Sequence, residues 1–196
     1  MKAALRLSKW QIVKYAAIFI ATVFTFILLV NGVDEASFRI AIRFTARSSC
    51  ILFLLAFCAS PLRRLAPSSI SNWLIQNRRY FGLSMAISHG FHALAIIGVA
   101  VSTSENMIRD NHLATLGYVF IILMSITSFE RSAAVLGKRL WRILHTVGMY
   151  YLWLSFVTGF SERLTESWFI YSPFVITLIL AFLLRFIPSK KPKFRL

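Results

Sequence analysis

Three histidines are the residues whose type and surroundings suggest chemistry. His89 and His92 lie in "SHGFHALAI", Ser88 to Ile96, and His145 lies in "RILHTVGMYYLW", Arg142 to Trp153. All three sit in runs otherwise suited to lipid. Ionisable groups inside a membrane are costly, so as a rule they face a bundle interior and mark a path or a site. The plainer reading is that a single histidine bonds across helices as packing glue. His89 and His92 are three residues apart and point within about 60° of each other on a helix. No Asp or Glu accompanies the three, which argues against a carboxylate-rich di-metal site and against a proton pathway. Neutral imidazoles from facing helices do ligate haem iron. Gly90, Ala93, Ala95 and Gly148 would let a flat macrocycle approach, and would equally let helices pack closely without one. His112 reads as a solvated residue at a membrane edge.

The elements that must position these groups follow from hydropathy. The chain has 196 residues, 58% of them hydrophobic and 15% charged, and its mean hydropathy is +0.69. Soluble domains do not have this composition. Apolar stretches long enough for a bilayer core of roughly 30 Å recur along the whole chain, so a cleaved leader does not account for them. Six spans are expected, at about 11–30, 48–62, 80–101, 113–129, 143–159 and 168–187. The second is short and ends at Pro61. Apolar and polar residues do not alternate, so helices are expected rather than barrel strands. The fold class is therefore an all-α integral membrane protein: one domain over 1–196, a six-helix transmembrane bundle.

The charges orient the bundle. Seventeen of the 22 Lys and Arg fall at the N-terminus, in the second and fourth loops and in the tail, whereas Arg39, Arg43, Arg47, Arg109 and Arg163 fall on the other side with six of the seven acids. By the positive-inside rule both termini are cytoplasmic, and the expected location is a bacterial-type inner membrane. The net charge of +15 is juxtamembrane, where it sets topology and attracts anionic lipid; no nucleic-acid reading motif accompanies it, so no nucleic-acid partner is expected. Cys50 and Cys58 are about 12 Å apart along one helix and cannot pair. No segment has room for a flavin or nucleotide domain and no glycine-rich phosphate loop is present, so soluble redox chemistry must come from a partner protein.

Three stretches, "TARSSCILFLLAFCASPLRRL" (Thr45 to Leu65), "NRRYFGLSMAISHGFH" (Asn77 to His92) and "LGKRLWRILHTVGMYYLW" (Leu136 to Trp153), together resemble the ferric reductase-like transmembrane family. Within it they are most similar to the haem-binding membrane subunits of bacterial methionine sulfoxide reductase systems. The resemblance covers most of the chain from the second span to the fifth. It implies a six-helix bundle that holds b-type haem between the third and fifth spans and carries electrons across the membrane. By position it carries haem ligation to His92, about four turns after Arg78 and Arg79, and to His145, four residues after Trp141.

The family's third histidine, thirteen residues beyond His145, is Thr158 here, and no histidine follows it. At 1.5 Å per residue, His92 lies about 18 to 20 Å from the cytoplasmic edge of its span and His145 only about 5 to 9 Å. Two ligands of one iron must face each other at one level, so these two are not expected to share a haem unless a helix is tilted or shifted. In the family pattern His92 would pair with the position of Thr158, and the partner of His145 would fall near Arg78, which cannot ligate but could hold a propionate. His89 is a nearby substitute. Haem is then single, singly ligated, non-standard or absent. The expected function is a transmembrane electron-transfer subunit, fed by a cytoplasmic flavoprotein or a membrane quinol and dependent on a partner for any catalysis. The alternative is a haem-poor or haem-free member of the fold that serves a larger complex as a structural subunit. A transporter fits less well, because no inverted repeat or paired broken helices are evident.

Overall fold

The computed structural model describes Leu7 and residues 9–103 and 112–188, the side chains of 112 and 113 excepted. The expectations for His112 as an interfacial side chain, and for the charges of 1–6, 104–111 and 189–196, lie outside the described residues. Among those described, every regular element is helical: α1 (Trp10–Asn31), α2 (Glu35–Leu65), α3 (Ser69–Thr103), α4 (His112–Ile126), α5 (Glu130–Leu136), α6 (Lys138–Glu162) and α7 (Trp168–Leu183), with a 3-10 turn, Arg163–Thr165, after α6.

Four helices, α1, α2, α3 and α6 with its following turn, are long and apolar enough to cross a membrane, which is consistent with a multi-pass membrane protein. The remaining two expected spans depart from a simple crossing. α7 has 16 residues, about 24 Å at 1.5 Å per residue. α4 breaks after Ile126 and turns through 109° into α5. The break has a local cause: the Thr127 and Ser128 hydroxyls donate to the carbonyls of Leu123 and Met124 (2.7 Å each), competing for the acceptors of the last turn. Trp141 Nε1 donates to the Thr127 carbonyl, and Phe129 is extended (φ −90°, ψ 143°). Gly137, at φ +79°, lets α5 pass directly into α6, a conformation that L side chains rarely adopt.

The expected second and third spans start too late. α2 begins at Glu35, where the Asp34 carboxylate accepts the Ser37 N–H at 2.8 Å, the side-chain cap a helix start needs. Arg39, Arg43 and Arg47 then fall on one face of the helix rather than in a loop. Pro61 lies inside α2, Arg63 and Arg64 form its last turn, and Arg78 and Arg79 are two turns or more inside α3.

α2 packs most extensively against α3, with α1 laid across both; α6 joins α4 and α7. Phe53 and Phe57 of α2 meet Phe156 and Phe160 of α6 and Tyr171 and Leu178 of α7 in one buried cluster. Outward, Phe26, Leu29, Val101 and Phe169 are more than half exposed, an apolar exterior consistent with a membrane setting. Lys9 N–H donates to Asn77 Oδ1 (2.8 Å) and Arg64 donates to the Arg185 carbonyl (3.1 Å). The first and last described residues therefore share the end of the bundle where α2 meets α3; Asp34 and Arg163 mark the other end.

Candidate functional site

A ladder of small hydroxyls sets the register of α2 against α3. Ser49 donates to Ser88 at 2.9 Å, and Ser88 donates to the Thr45 carbonyl at 3.2 Å. Such contacts join helices where lipid offers polar groups no other partner. They bring Thr45 beside His92, whose Nδ1 lies 3.0 Å from Thr45 Oγ1 and 3.2 Å from the Ile42 carbonyl oxygen. A carbonyl only accepts, and the Thr45 hydroxyl gives its own proton to the Ala41 carbonyl at 2.7 Å. Nδ1 therefore carries the imidazole proton and Nε2 keeps the lone pair.

His92 opens into a cavity of about 380 Å³ at the Asp34 end, lined also by His89, Thr158, Arg39, Arg43 and Arg163. Its charge is partly answered: Arg39 pairs with Glu35 at 2.6 Å and Arg163 with Glu166 at 3.2 Å, and Glu162 joins the lining. His89 lies beside His92, ring centroids 5.1 Å apart and 32° from parallel, and 5.2 Å from the Tyr118 ring. Its Nδ1 and the Tyr118 hydroxyl are buried without a hydrogen-bond partner among the described residues. Two rings side by side on one helix reach a macrocycle from one side, so His89 and His92 cannot be opposite axial ligands. Thr158 stands on α6 with its hydroxyl near the carbonyls of Leu154 and Ser155, 3.1 Å from each.

His145 belongs to a second cavity, about 320 Å³, at the other end of the bundle. Its Nε2 is 3.1 Å from Thr127 Oγ1. Thr127 Oγ1 is also 2.7 Å from the Leu123 carbonyl, and its contact engages His145 Nε2 whichever of the two groups donates. The ring stacks on Trp141, centroids 4.3 Å apart. Arg78 shares this cavity, with Arg79, Arg142 and Arg185. Only Leu152 lines both cavities; His92 and His145 do not face a common centre.

Of the small residues expected near a macrocycle, Gly90, Ala93, Ala95 and Gly148, none lines either cavity. Ala95 is fully buried among α1 and α2 side chains, and a Cβ at Gly148 would meet Met124 and Phe120 of α4. Ala95 and Gly148 serve helix packing, whereas Gly90 is exposed with open space beside it. The cavity walls use Gly117 and Gly159 at the His92 end and Gly82 at the other. Thr45 and Thr127, which meet the imidazoles, had no signal in the sequence as partners. Among the described residues no three His, Cys, Asp or Glu side chains gather to hold a bare metal ion.

The His92 cavity does fit haem. A neutral histidine whose outer nitrogen is held by a carbonyl and a hydroxyl presents Nε2 in the form that binds iron. The volume falls within the range of small-molecule sites, and Arg43, beside Arg39 and Arg163, would meet a propionate. Compared with protein-family models, with curated proteins and with solved structures, the chain matches none.

Proposed function

We propose that this chain is the membrane subunit of an electron-transfer system and that it holds a b-type haem between α3 and α6, with His92 as axial ligand. The observation that carries the reading is the setting of His92 Nδ1, 3.2 Å from the Ile42 carbonyl oxygen and 3.0 Å from Thr45 Oγ1, which calls for the proton on Nδ1 and leaves the lone pair on Nε2. Bound there, haem would supply a one-electron redox centre within the membrane. The residues around it have separate tasks. Thr45 and the Ile42 carbonyl fix the ring and raise its basicity. Arg43 would meet a propionate, with Arg39 and Arg163 beside it in their ion pairs, and Phe156 and Phe160 would help exclude water. Thr158, which lines the cavity from α6, would offer the haem no strong ligand.

Electrons arrive from a cytoplasmic flavoprotein or a membrane quinol and leave to a partner protein across the membrane. This rests on the resemblance to the ferric reductase-like family and on the lack of a soluble domain in 1–196. The charge asymmetry supports six passages, cytoplasmic termini and a bacterial-type inner membrane. His89 is the alternative ligand in the same cavity; His145, the other ligand that the resemblance implies, lies in the second cavity with its Nε2 against Thr127. The second reading, a haem-free structural or assembly subunit, is favoured by one observation: each cavity receives imidazole from one helix alone.

The test is a pyridine haemochrome assay with oxidised and dithionite-reduced spectra on detergent-solubilised protein from haem-supplied cells. A b-type signal is expected, removed by His92→Ala and retained in His89→Ala and His145→Ala. No signal in the wild type would leave the structural reading standing. A signal that survives His92→Ala would move the ligand elsewhere.

A further inference from the structure

The cavity around His145 carries a charge that nothing in it answers. Arg78 and Arg79 come from α3, Arg142 from α6 and Arg185 from the residues after α7, and no Asp or Glu lines the space. The two ion pairs among the described residues, Arg39–Glu35 and Arg163–Glu166, are at the other end of the bundle. Arg78 and Arg142 reach solvent, while Arg79 and Arg185 are half-buried; like charges brought together repel, and a buried guanidinium nitrogen without an acceptor is costly.

These side chains are held in place by groups that leave their charge free. The Arg185 guanidinium lies 4.2 Å from the centre of the Phe57 ring and 5.0 Å from that of Tyr150. Arg79 lies over Tyr80 and Phe129, at 5.7 and 5.4 Å. Arg78 donates to the Ser60 hydroxyl at 3.1 Å. Arg79 Nε and Arg185 Nη1 are buried with no hydrogen-bond partner among the described residues. Aromatic faces orient a guanidinium fork without neutralising it. The result is a preset group of donors, several from separate helices, that no carboxylate among the described lining residues meets.

We propose that this cavity is a binding site for a phosphate-bearing anion, gripped by Arg78, Arg79, Arg142 and Arg185. Phosphate offers several charged oxygens in the geometry that arginine forks match in pairs. The inner wall, Phe57, Met85 and Met149, is apolar, so the anion is either a lipid headgroup with its chains along the bundle or a free phosphate compound with an apolar body. This assignment goes beyond the haem at His92 and does not depend on it.

The experiment titrates the full chain in neutral detergent with inorganic phosphate and pyrophosphate in one arm, and with micelles containing phosphatidylglycerol or phosphatidylcholine in the other. Binding is read by native mass spectrometry and by thermal shift. Saturable binding of phosphatidylglycerol but not phosphatidylcholine assigns a headgroup; saturable binding of the free anions alone assigns a soluble phosphate compound. The pair Arg79→Gln and Arg185→Gln should weaken either by roughly tenfold, the scale of lost charge-assisted bonds. The pair Arg131→Gln and Arg139→Gln removes the same charge from exposed positions outside the cavity and should change it less than about twofold. If the first pair does not fold, Arg79→Lys with Arg185→Lys keeps the charge and loses the fork, and a several-fold weakening is still expected. No saturable binding in either arm, or equal weakening by both glutamine pairs, overturns the proposal. So does a haem signal removed by His145→Ala, which would put propionates where the phosphate is placed. His92→Ala tests the haem reading alone and should leave phosphate binding unchanged.

Discussion

The cavity around His92 and the cavity around His145 are built on the same pair of side chains used in opposite senses. Each histidine meets a threonine whose hydroxyl also lies 2.7 Å from the carbonyl four residues earlier. At His92 the contact is through Nδ1, and the Ile42 carbonyl shares it. At His145 it is through Nε2, and the ring is stacked on Trp141. Nε2 is thus free at His92 and committed at His145. The charges differ likewise: arginines at the His92 end have Glu35, Glu162 and Glu166 nearby, whereas the four at the His145 end have no carboxylate lining the cavity. Residue type alone does not make a ligand; the partner that takes the second nitrogen decides.

The strongest way to press on that difference is Thr158→His. Thr158 lines the His92 cavity from α6, so an imidazole there comes from a helix other than that of His92. The expected outcome is a change to a low-spin bis-histidine spectrum, with higher haem occupancy. An unchanged spectrum would mean that the two positions do not flank one iron. The matching substitution near His145 is not expected to do this, because its Nε2 is already bonded.

The next comparison pairs the two threonines. Thr45→Val removes the hydroxyl that holds His92 Nδ1 and should weaken haem binding by about tenfold, the lower end of what loss of an outer-shell partner costs. Thr127→Val alters His145 instead and should leave haem binding at His92 unchanged. Haem titration of both variants, freed of endogenous haem, measures the contrast; equal losses would place the haem between the two cavities and remove the distinction.

How much of this was legible in the sequence depends on what hydropathy reports. It reports preference for lipid, so α1 was expected at 11–30 and is found at Trp10–Asn31, and α7 was expected to start at 168 and does. It says nothing of where a helix ends once outside lipid. α2 continues through Arg39, Arg43 and Arg47 and α3 through Arg78 and Arg79 because Asp34 caps one and both pack along their length. The histidines were visible as imidazoles in apolar runs. Thr45 and Thr127 were not, because a hydroxyl bonded to its own helix looks the same whether or not a histidine from another helix rests on it. The arginines were read as topology signals one loop at a time, and their convergence on one cavity is a property of the packed bundle.

Packing at the two ends should also differ in its tolerance. A Cβ on Gly98 of α3 would overlap the Phe38 ring of α2, whereas one on Gly148 of α6 would meet chiefly the Met124 thioether of α4. A ring cannot fold away, and a thioether chain can. Gly98→Ala should therefore cost about 1 to 3 kcal/mol, the scale of an overpacked core, and Gly148→Ala less than about 1 kcal/mol. Thermal unfolding in one detergent compares them; the reverse order would mean that α2 and α3 yield more readily than α4 and α6.

The smallest expected effect separates the two ends by pH. At the His92 end, the Ser37 side chain and backbone N–H hold the Asp34 carboxyl below its ordinary value of 3.8, and the carboxylate caps α2. A carboxyl whose pKa is lower in the folded protein than in the unfolded one stabilises the fold above its ordinary pKa, and that stabilisation fades as pH falls through the folded value. The unfolding midpoint should decline slightly between about pH 5 and pH 3 for this reason. Asp34→Asn keeps a capping oxygen that does not titrate, so the decline should shrink while the midpoint at neutral pH hardly moves. A decline of the same size in the variant would assign it to the other acids at that end, Glu35, Glu162 and Glu166, and Asp34 would then act on α2 as a cap whose charge contributes nothing.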